Sequence, residues 1–379
     1  MKKIGLVTFF RSNYGSALQC YATKVFLEKN GYETVLIEKT PWGEDEEDIE
    51  YNKQRHPEFF EDFQKFMKSL TGNNAIVSGK SMDLIDTFVN DVLCPQKYTL
   101  GELREIAAGD EFDAFVVGSD QVWNCTLGML SPLYFLLFAP EKKRIALCPS
   151  FGANNVPVYL RDDLRDVLNT YRDLSAREEE GVAIIKDITG REAKRLPDPT
   201  LLLTDEEWRT FAMENVKEPD PGEDYILLHF LNEPNEVAIS SIRKLIKETG
   251  KSVKCFATRY EVFENLEGIE LLDGGPADYI TSIDKAGLVL TDSFHTTMFS
   301  INLESNFYTF DRQYVHGVSQ ISRITTALKR YGLMDRLILE AEDMKRMDEG
   351  IVVRFENSKE KIKEREGIQN YLMGALGDK

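Results

Sequence analysis

The stretch AGLVLTDSFHTTMFSI, residues 286–301, indicates how this chain folds and where its chemistry takes place. Its apolar start predicts a short buried strand, and the small polar residues that follow predict the first turn of a helix. The free backbone N–H groups of such a turn can hold a phosphate or a carboxylate. Ligands of open α/β sheets bind at the carboxyl ends of strands, so His295 lies where chemistry is common, and imidazole exchanges protons near neutral pH.

Three hydroxyl residues accompany this histidine. Ser293, Thr296 and Thr297 stand beside the same helix start and could donate hydrogen bonds to a bound oxyanion. The alternative is a histidine that only packs at the helix terminus, but the neighbouring hydroxyls favour a site. We therefore assign His295 as a candidate catalytic residue and the three hydroxyl residues as candidate substrate-binding residues.

Strand-like and helix-like segments alternate along the chain, which is typical of parallel sheets with helices on both faces. One set occupies residues 1–218 and contains a helical insertion at about 43–110. The stretch EPDPGED, residues 218–224, predicts a linker because prolines and a glycine interrupt regular structure there. A second set occupies residues 219–379 and ends in a helix that packs back on the body. We therefore predict an α/β protein with two Rossmann-like, doubly wound domains that face each other across a cleft.

Further elements follow from the spacing of apolar residues. Within the insertion, helices are predicted at 43–50, 59–70 and 82–92. The first sheet is predicted to include a strand at 173–176 and another near Leu196.

Composition excludes several classes of function. With 46 Lys and Arg against 64 Asp and Glu, the formal net charge of −18 argues against binding to nucleic acid or to an anionic membrane surface. No apolar run approaches the roughly 20 residues that span a bilayer, so a cytoplasmic protein without a transmembrane segment is expected. The five cysteines are scattered and never spaced as C-x-x-C, and H-E-x-x-H, P-loop and G-x-S-x-G motifs do not occur, so neither a metal nor a cofactor is expected.

A second candidate loop is GSDQVWN, residues 118–124, directly after a predicted strand. Gly118 and Ser119 could approach a ligand there, and Asp120 is a weaker catalytic candidate, the base that faces an acceptor. The alternative is a tight turn in which the serine or the aspartate caps the next element.

A third candidate is SNYGS, residues 12–16, between the first predicted strand and the first helix. Asn13 and Ser16 could bind substrate, and Gly15 permits close approach of a backbone to a ligand. The spacing is not G-x-G-x-x-G, so nothing here specifies a dinucleotide.

Two more segments end predicted strands. In SAREEE, residues 175–180, Arg177 could clamp a carboxylate or phosphate, although residue type alone favours a surface ion pair with a neighbouring glutamate. Ser150 and Gly152 are assigned to the wall of the cleft. By contrast, DPT at 198–200 is interpreted as a rigid turn, and His229 as a core residue.

Six segments together resemble one family, the polysaccharide pyruvyl transferases. They are NYGSALQ (13–19), GSDQVWN (118–124), SFG (150–152), SAREEEGV (175–182), DPTLLL (198–203) and TDSFHTTMFSI (291–301). Their order and spacing match the family, and the likeness covers roughly residues 3–340.

The resemblance implies a fold like that of the glycosyltransferase-B enzymes, with phosphoenolpyruvate as donor and a polysaccharide or precursor sugar as acceptor. The product would be a pyruvate ketal across two sugar hydroxyls. It also implies that Arg177 and His295 contact the anionic groups of the donor. Some members carry an arginine two residues before that histidine and a glycine after it, whereas this chain has Ser293 and Thr296.

Two other functions stay open on the sequence alone. The implied fold also serves nucleotide-sugar-dependent glycosyltransferases. A non-catalytic sugar-phosphate-binding protein of the same pathway is the second alternative, because an arginine of the family pattern is replaced by Ser293.

Overall fold

Two parallel β-sheets with helices packed on their faces form the frame of the molecule. The structure, a computed structural model, describes residues 1–11, 13–40, 50, 53–57, 76–125, 130–264, 266, 268–312, 321–348 and 358–377. The strands are β1 (Lys3–Val7), β2 (Glu33–Lys39), β3 (Ile76–Val77), β4 (Gln96–Tyr98), β5 (Ala114–Val117), β6 (Arg144–Ala146), β7 (Ser175–Ala176), β8 (Lys194–Arg195), β9 (Ile226–His229), β10 (Val253–Phe256), β11 (Thr258–Arg259), β12 (Ile269–Leu272), β13 (Leu288–Thr291), β14 (Phe307–Phe310) and β15 (Leu337–Ile338). The α-helices are α1 (Tyr14–Lys29), α2 (Gly79–Phe88), α3 (Leu100–Ala108), α4 (Arg161–Asn169), α5 (Glu179–Thr189), α6 (Asp205–Asn215), α7 (Glu236–Thr249), α8 (Glu261–Glu264), α9 (Pro276–Lys285), α10 (Phe294–Leu303), α11 (Ile321–Tyr331) and α12 (Ser358–Leu376).

The first sheet has the strand order β4-β2-β1-β5-β6, and all of its pairs are parallel. The chain begins in the middle with β1, continues outward through β2 and β4, and then crosses to β5 and β6 on the other side. The direction of winding therefore changes between β1 and β5. Ligands of such sheets bind at this switch point, next to the loops that follow the two strands.

The second sheet repeats this plan with the order β12-β10-β9-β13-β14-β15, again in parallel pairs. Its winding changes direction between β9 and β13. The loop after β13 carries the stretch that opened the sequence analysis. The predicted pair of doubly wound α/β sheets is confirmed.

Local sequence explains why the central strands and the helices at the switch points form. The strands β5, β9 and β13 are buried at every position, as expected for parallel strands covered by helices on both faces. Asn13 caps α1 by accepting a hydrogen bond from the Ser16 N–H at 3.2 Å. Ser293 caps α10 in the same way, with the Thr296 N–H at 3.3 Å. In both site-bearing helices, the capping side chain thus satisfies one of the free N–H groups of the first turn.

The strands β7 and β8 do not join the first sheet, contrary to the prediction. They pair only with each other, as a separate two-stranded sheet. The hydroxyl of Ser175 accounts for this, because it accepts from the Cys148 N–H at 2.8 Å and donates to the Ala146 carbonyl at 2.6 Å. A side chain therefore occupies the hydrogen-bonding positions beside β6 that a sixth strand would use.

The two halves of the molecule contact each other closely. The strand β3 pairs antiparallel with β11, so the middle of the insertion reaches the C-terminal half. Tyr14 at the start of α1 donates to the Gly274 carbonyl at 2.7 Å, and its ring stacks on Tyr279 with centroids 4.9 Å apart. The helix predicted at 82–92 corresponds to α2 and a following π-helical turn, whereas 43–49 and 59–70 lie outside the described residues.

The helix α12 packs against both halves. Tyr371 donates to the Ala146 carbonyl at 2.8 Å beside the first sheet, and Lys361 donates to the Asn302 carbonyl at 3.1 Å at the end of α10. Ile368 and Leu372 are buried completely. The helix α6, which precedes the predicted linker, packs against α9 of the C-terminal half. The division at residues 218/219 stays a prediction. Within the described part of the chain, no helix is both long enough and apolar enough to cross a membrane.

Candidate active site

A cavity of about 350 Å³ lies where the switch points of the two sheets face each other. This volume is within the range of about 300–1,000 Å³ that is usual for small-ligand sites. The N-terminal half contributes the lining residues Phe9, Asn13, Ser16, Asp120, Gln121, Val122, Asn124, Ser131, Tyr134 and Phe135. The C-terminal half contributes Leu231, Ser293, Phe294, His295, Arg312 and Arg323. A ligand held here would contact both halves.

His295 occupies the first turn of α10 and lines this cavity. Its side chain is largely buried, and Nε2 is enclosed without a hydrogen-bond partner among the described residues. The nearest carboxylate oxygen to Nε2 is Oδ2 of Asp198, at the ion-pair distance of 3.5 Å. The structure therefore places the predicted histidine at the cavity and adds an aspartate behind it.

Arg177 is buried at the end of β7 and is not part of a surface ion pair. Its Nη1 donates to Asp198 Oδ2 at 2.9 Å, and its Nε donates to Glu178 Oε1 at 3.1 Å. Nη2 lies 3.9 Å from Asp120 Oδ1. Burial lowers the pKa of Arg177, but the neighbouring carboxylates outweigh it and raise the pKa above its ordinary value. The guanidinium lies behind the cavity wall and does not line the cavity.

Asp198 joins Arg177 to His295, because both contact the same oxygen, Oδ2. Its other oxygen accepts from the Thr200 N–H at 3.0 Å and caps the 3₁₀-helix Pro199–Leu202. The cap agrees with the interpretation of DPT as a rigid turn. The contact between Asp198 and His295 was not predicted. Burial raises the pKa of Asp198. The opposing effect of His295, followed by that of Arg177, is larger and holds the pKa below its ordinary value.

The loop before α1 packs directly against the histidine. A Cβ atom on Gly15 would lie 2.1 Å from both Cγ and Nδ1 of His295. Asn13 and Ser16 line the cavity beside it. The structure thus brings together the residues predicted in SNYGS and the histidine of the last motif. Gly15 and His295 are 280 positions apart in the sequence.

Asp120 lines the cavity opposite the C-terminal wall. Its Oδ2 accepts from the Ser16 hydroxyl at 2.5 Å, and its Oδ1 accepts from the Gln121 N–H at 2.8 Å. Its backbone has a positive φ of 61°, a left-handed conformation that glycine, asparagine and aspartate adopt more readily than other residues. Asp120 therefore lies in a tight turn and also lines the cavity, so the two interpretations of this segment are compatible.

Several predicted substrate-binding residues support the site from behind. The hydroxyl of Ser119 donates to the Cys148 carbonyl at 2.9 Å, and that of Ser150 accepts from the Gly152 N–H at 3.0 Å. Gly118 and Gly152 have positive φ values of 108° and 63°, and a Cβ on either would collide with neighbouring atoms. None of these four residues is among the lining residues of the cavity.

The hydroxyls predicted after His295 also point into the protein. Thr296 Oγ1 lies 2.8 Å from His229 Nδ1 and 2.8 Å from the Tyr279 hydroxyl. Thr297 Oγ1 donates to the Ser293 carbonyl at 3.0 Å. Both side chains are fully buried, so they hold α10 in place and leave Ser293 as the hydroxyl residue at the cavity.

Two arginines at the cavity were not assigned from the sequence. Arg312, just after β14, donates from Nη2 to the Asp292 carbonyl at 3.2 Å. Arg323 lies on α11, with its guanidinium 5.6 Å from the centroid of the Phe294 ring. Arg177 lies 4.5 Å from the same centroid, so Phe294 contacts two cations. Arg323 lies in the segment Ser-Arg-Ile at 322–324, where nothing in the local sequence pointed to the cavity.

A comparison with protein families matches residues 13–314 to the model named polysaccharide pyruvyl transferase. The match covers most of the chain and includes all six motifs. The chain belongs to the polysaccharide pyruvyl transferase family. It is accordingly a transferase of a family whose name describes the pyruvylation of polysaccharides, and the resemblance seen in the sequence is confirmed.

Solved structures show that this pyruvyl transferase family member has a glycosyltransferase-B-like fold. It is similar to the S. aureus MnaA–UDP co-structure, with a TM-score of 0.55, 12% identity, and coverage of 99% of this chain and 97% of the other. UDP-GlcNAc 2-epimerase from Methanocaldococcus jannaschii gives a TM-score of 0.54 at 13% identity, with 99% and 100% covered. The Rickettsia bellii UDP-N-acetylglucosamine 2-epimerase gives 0.53 at 11%, with 99% and 97% covered. A comparison with curated proteins gave no match.

The contact between Gly15 and His295 gives a direct test of the site in this pyruvyl transferase. In Gly15→Ala the new methyl group must displace the imidazole, since a Cβ would lie 2.1 Å from the ring. If the imidazole takes part in the transfer reaction, we expect kcat to fall at least about 10-fold, because small displacements of a catalytic group are costly. Gly101→Ala is the matched control, as Gly101 is also the second residue of a helix and its Cβ would lie 3.9 Å from the nearest atom. Equal activity in the two variants would contradict the proposed position of His295.

His229 is the buried histidine of the core, as the sequence predicted. Burial, followed by the charge of Arg312, lowers its pKa to about 3. The unfolded chain has an ordinary histidine pKa of about 6.5, so below that pH it binds a proton that the folded protein does not. The stability contributed by neutral His229 is therefore complete above pH 6.5 and is lost as the pH falls.

The lowered pKa of His229 predicts a pH-dependent effect of His229→Gln. Between pH 6.5 and 4.5, the free energy of unfolding of the wild type should fall by about 2 kcal/mol more than that of the variant. The reason is that each pH unit below the unfolded pKa contributes about 1.4 kcal/mol. Urea denaturation at both pH values measures the difference. Parallel losses in the two proteins would show that His229 does not titrate as its burial implies.

Proposed function

We propose that this chain transfers the pyruvyl group of phosphoenolpyruvate onto two hydroxyls of a sugar in a polysaccharide or its precursor, forming a ketal. Membership of the family supports the pyruvylation of a polysaccharide. The observation that carries the proposal is the cavity, in which a cationic wall from the C-terminal half faces a neutral and acidic wall from the N-terminal half. These walls suit an anionic donor and a sugar acceptor, respectively.

The donor is proposed to lie against the C-terminal wall. Arg312 and Arg323 line that wall together with His295 at the first turn of α10. A protein with a net charge of −18 needs such a local concentration of cations to bind an anion. Arg177 was expected to contact the donor directly. Because its guanidinium is buried among carboxylates, we assign the direct contacts to the two lining arginines and a supporting role to Arg177.

The acceptor is proposed to lie against the N-terminal wall. Phe9 and Tyr134 form an edge-to-face pair there, with centroids 4.8 Å apart, and can pack on the apolar face of a sugar ring. The side-chain amides of Gln121 and Asn124 line the same wall and carry both donors and acceptors for sugar hydroxyls. Asp120 lies among them, where it can accept a proton from an attacking hydroxyl.

The chemistry needs one acid, one base and cationic anchoring. Protonation of the methylene carbon of phosphoenolpyruvate gives an oxocarbenium-like carbon, to which a sugar hydroxyl adds and loses its proton. A second hydroxyl then displaces phosphate, which leaves with the electron pair of its C–O bond and takes up the proton of that hydroxyl. Return of the first hydroxyl's proton from the base to the acid restores the enzyme. We propose His295 as the acid and Asp120 as the base. The arginines stabilise the negative charge of the donor throughout.

Isothermal titration with phosphoenolpyruvate and with UDP-N-acetylglucosamine tests the choice of donor. We expect heat of binding from phosphoenolpyruvate and none from the nucleotide sugar. Phosphate release in the presence of methyl glycosides of hexoses and N-acetylhexosamines tests turnover. Binding of the nucleotide sugar alone would favour a glycosyltransferase. Binding of phosphoenolpyruvate without phosphate release by any glycoside would favour a non-catalytic binding protein.

Arg323→Met should weaken the binding of phosphoenolpyruvate. Hydrogen bonds to charged groups contribute about 1.5–3 kcal/mol, so we expect Kd to rise by roughly 10- to 100-fold in isothermal titration. Arg165→Met is the matched control, because Arg165 pairs at the surface with Asp162 and is 46% exposed. If both variants bind the donor like the wild type, the donor does not lie against the C-terminal wall.

A further inference from the structure

The two ring nitrogens of His295 have different surroundings. Nε2 is enclosed, and the only carboxylate within ion-pair distance of it among the described residues is Asp198, 3.5 Å away. His295 nevertheless lines the cavity. Gly15 packs against the edge of the ring that carries Nδ1, at a distance that leaves no room for a side chain there. With Nε2 enclosed beside Asp198, Nδ1 is the remaining nitrogen through which the ring can meet a ligand in the cavity.

Asp198 is itself held in one position. One oxygen accepts from the Thr200 N–H at 3.0 Å, which fixes the carboxylate at the start of the 3₁₀-helix. The other accepts from Arg177 Nη1 at 2.9 Å and lies toward His295. The residue is 1% exposed, so water does not compete for these contacts. Arg177 keeps a negative charge on the carboxylate favourable despite its burial.

We propose that Asp198 is a positioning residue that holds the Nε2–H of His295, so that Nδ1 is the atom that exchanges protons with a ligand in the cavity. This inference rests on the proposed function. When the imidazolium releases its Nδ1 proton to the methylene carbon of the donor, the ring becomes the neutral Nε2–H tautomer. That tautomer is the one whose remaining proton faces the carboxylate. The fixed partner thus selects both the orientation and the tautomer of the ring.

Nitrogen-15 NMR of histidine-labelled protein reads the tautomer directly, without substrate. In the wild type, at a pH where His295 is neutral, we expect a protonated Nε2 and an unprotonated Nδ1. The resonance is assigned by its loss in His295→Gln. In Asp198→Asn the amide group can donate to Nε2, and we expect a mixed or reversed tautomer. Turnover should fall by about 10²- to 10⁴-fold, with KM for phosphoenolpyruvate changed by less than about threefold.

Two controls separate positioning from general disruption. Glu178→Gln removes another buried carboxylate from Arg177 without touching His295, so the Nε2–H tautomer should persist. Asp163→Asn changes the aspartate that contacts His56, and turnover should stay at the wild-type level. A wild-type His295 protonated on Nδ1, or wild-type turnover in folded Asp198→Asn, would overturn the proposal. Because the tautomer is read in the free protein, this outcome is distinct from failure to use phosphoenolpyruvate.

Discussion

Turnover should fall by about 10²- to 10⁴-fold when His295 is replaced by glutamine, the range typical for removal of a general acid or base. The imidazole lines the cavity at the first turn of α10, where it faces the proposed donor. Glutamine keeps a polar side chain of similar reach but does not titrate. The measurement is phosphate release from phosphoenolpyruvate in the presence of a competent acceptor glycoside, with kcat and KM determined separately. We expect the loss in kcat.

His56→Gln makes the same chemical change away from the cavity. His56 contacts Asp163 at 3.0 Å and is not among the lining residues of the cavity, so its replacement should leave kcat unchanged. Thermal unfolding of both variants shows whether the fold is intact. If folded His295→Gln turns over like the wild type, proton transfer in this enzyme is carried out by another group.

Arg177→Met should lower the free energy of unfolding by about 3–5 kcal/mol, the usual cost of removing one partner from a buried ion pair. The guanidinium is the cation that Asp198 and Glu178 contact in the interior, with Asp120 close by at 3.9 Å. Methionine fills similar space but leaves these carboxylates buried without that charge. Urea denaturation measures the change. The effect should appear without any ligand, which distinguishes a structural cation from one that serves only to bind substrate.

A surface pair provides the comparison. Arg161 donates to Asp187 at 2.6 Å, and the two side chains are 33% and 68% exposed. Exposed ion pairs contribute about 0–1 kcal/mol, so Arg161→Met should change stability little. A similar small change in Arg177→Met would mean that the buried carboxylates take up protons at low cost when the arginine is absent.

Much of the fold could be predicted from local sequence. The central strands of both sheets are continuous apolar runs, and the helices that follow begin at capping side chains such as Asn13 and Ser293. The apolar pattern and the capping residues therefore predict the same boundaries between strand and helix. The edge strands β12 and β15 gave no such signal. No position of β12 is fully buried, and β15 contains only two residues. The separate pairing of β7 and β8 depends on the hydroxyl of Ser175, which no spacing rule reveals.

The candidate site was predictable only in part, because its parts come from distant segments. Loops at the carboxyl ends of strands pointed to His295, Asp120 and Gly15, and the structure brings these residues to one cavity or its wall. Asp198 was missed since its capping role already explained its presence in the sequence. Arg323 was missed because it lies within a helix, where nothing local shows which face meets the cavity.

The position of the Tyr14 side chain limits how far the two halves of this enzyme can move apart. Its phenol is inserted among rings of the opposite half, one residue before the glycine that touches His295. Separation of the two halves would expose that ring to water and break the hydrogen bond from the Tyr14 hydroxyl to the Gly274 carbonyl. A wide hinge opening in every catalytic cycle would require the free energy of this exposure and of the lost hydrogen bond each time. Substrates and products are therefore expected to enter and leave the cavity without a wide separation of the two halves.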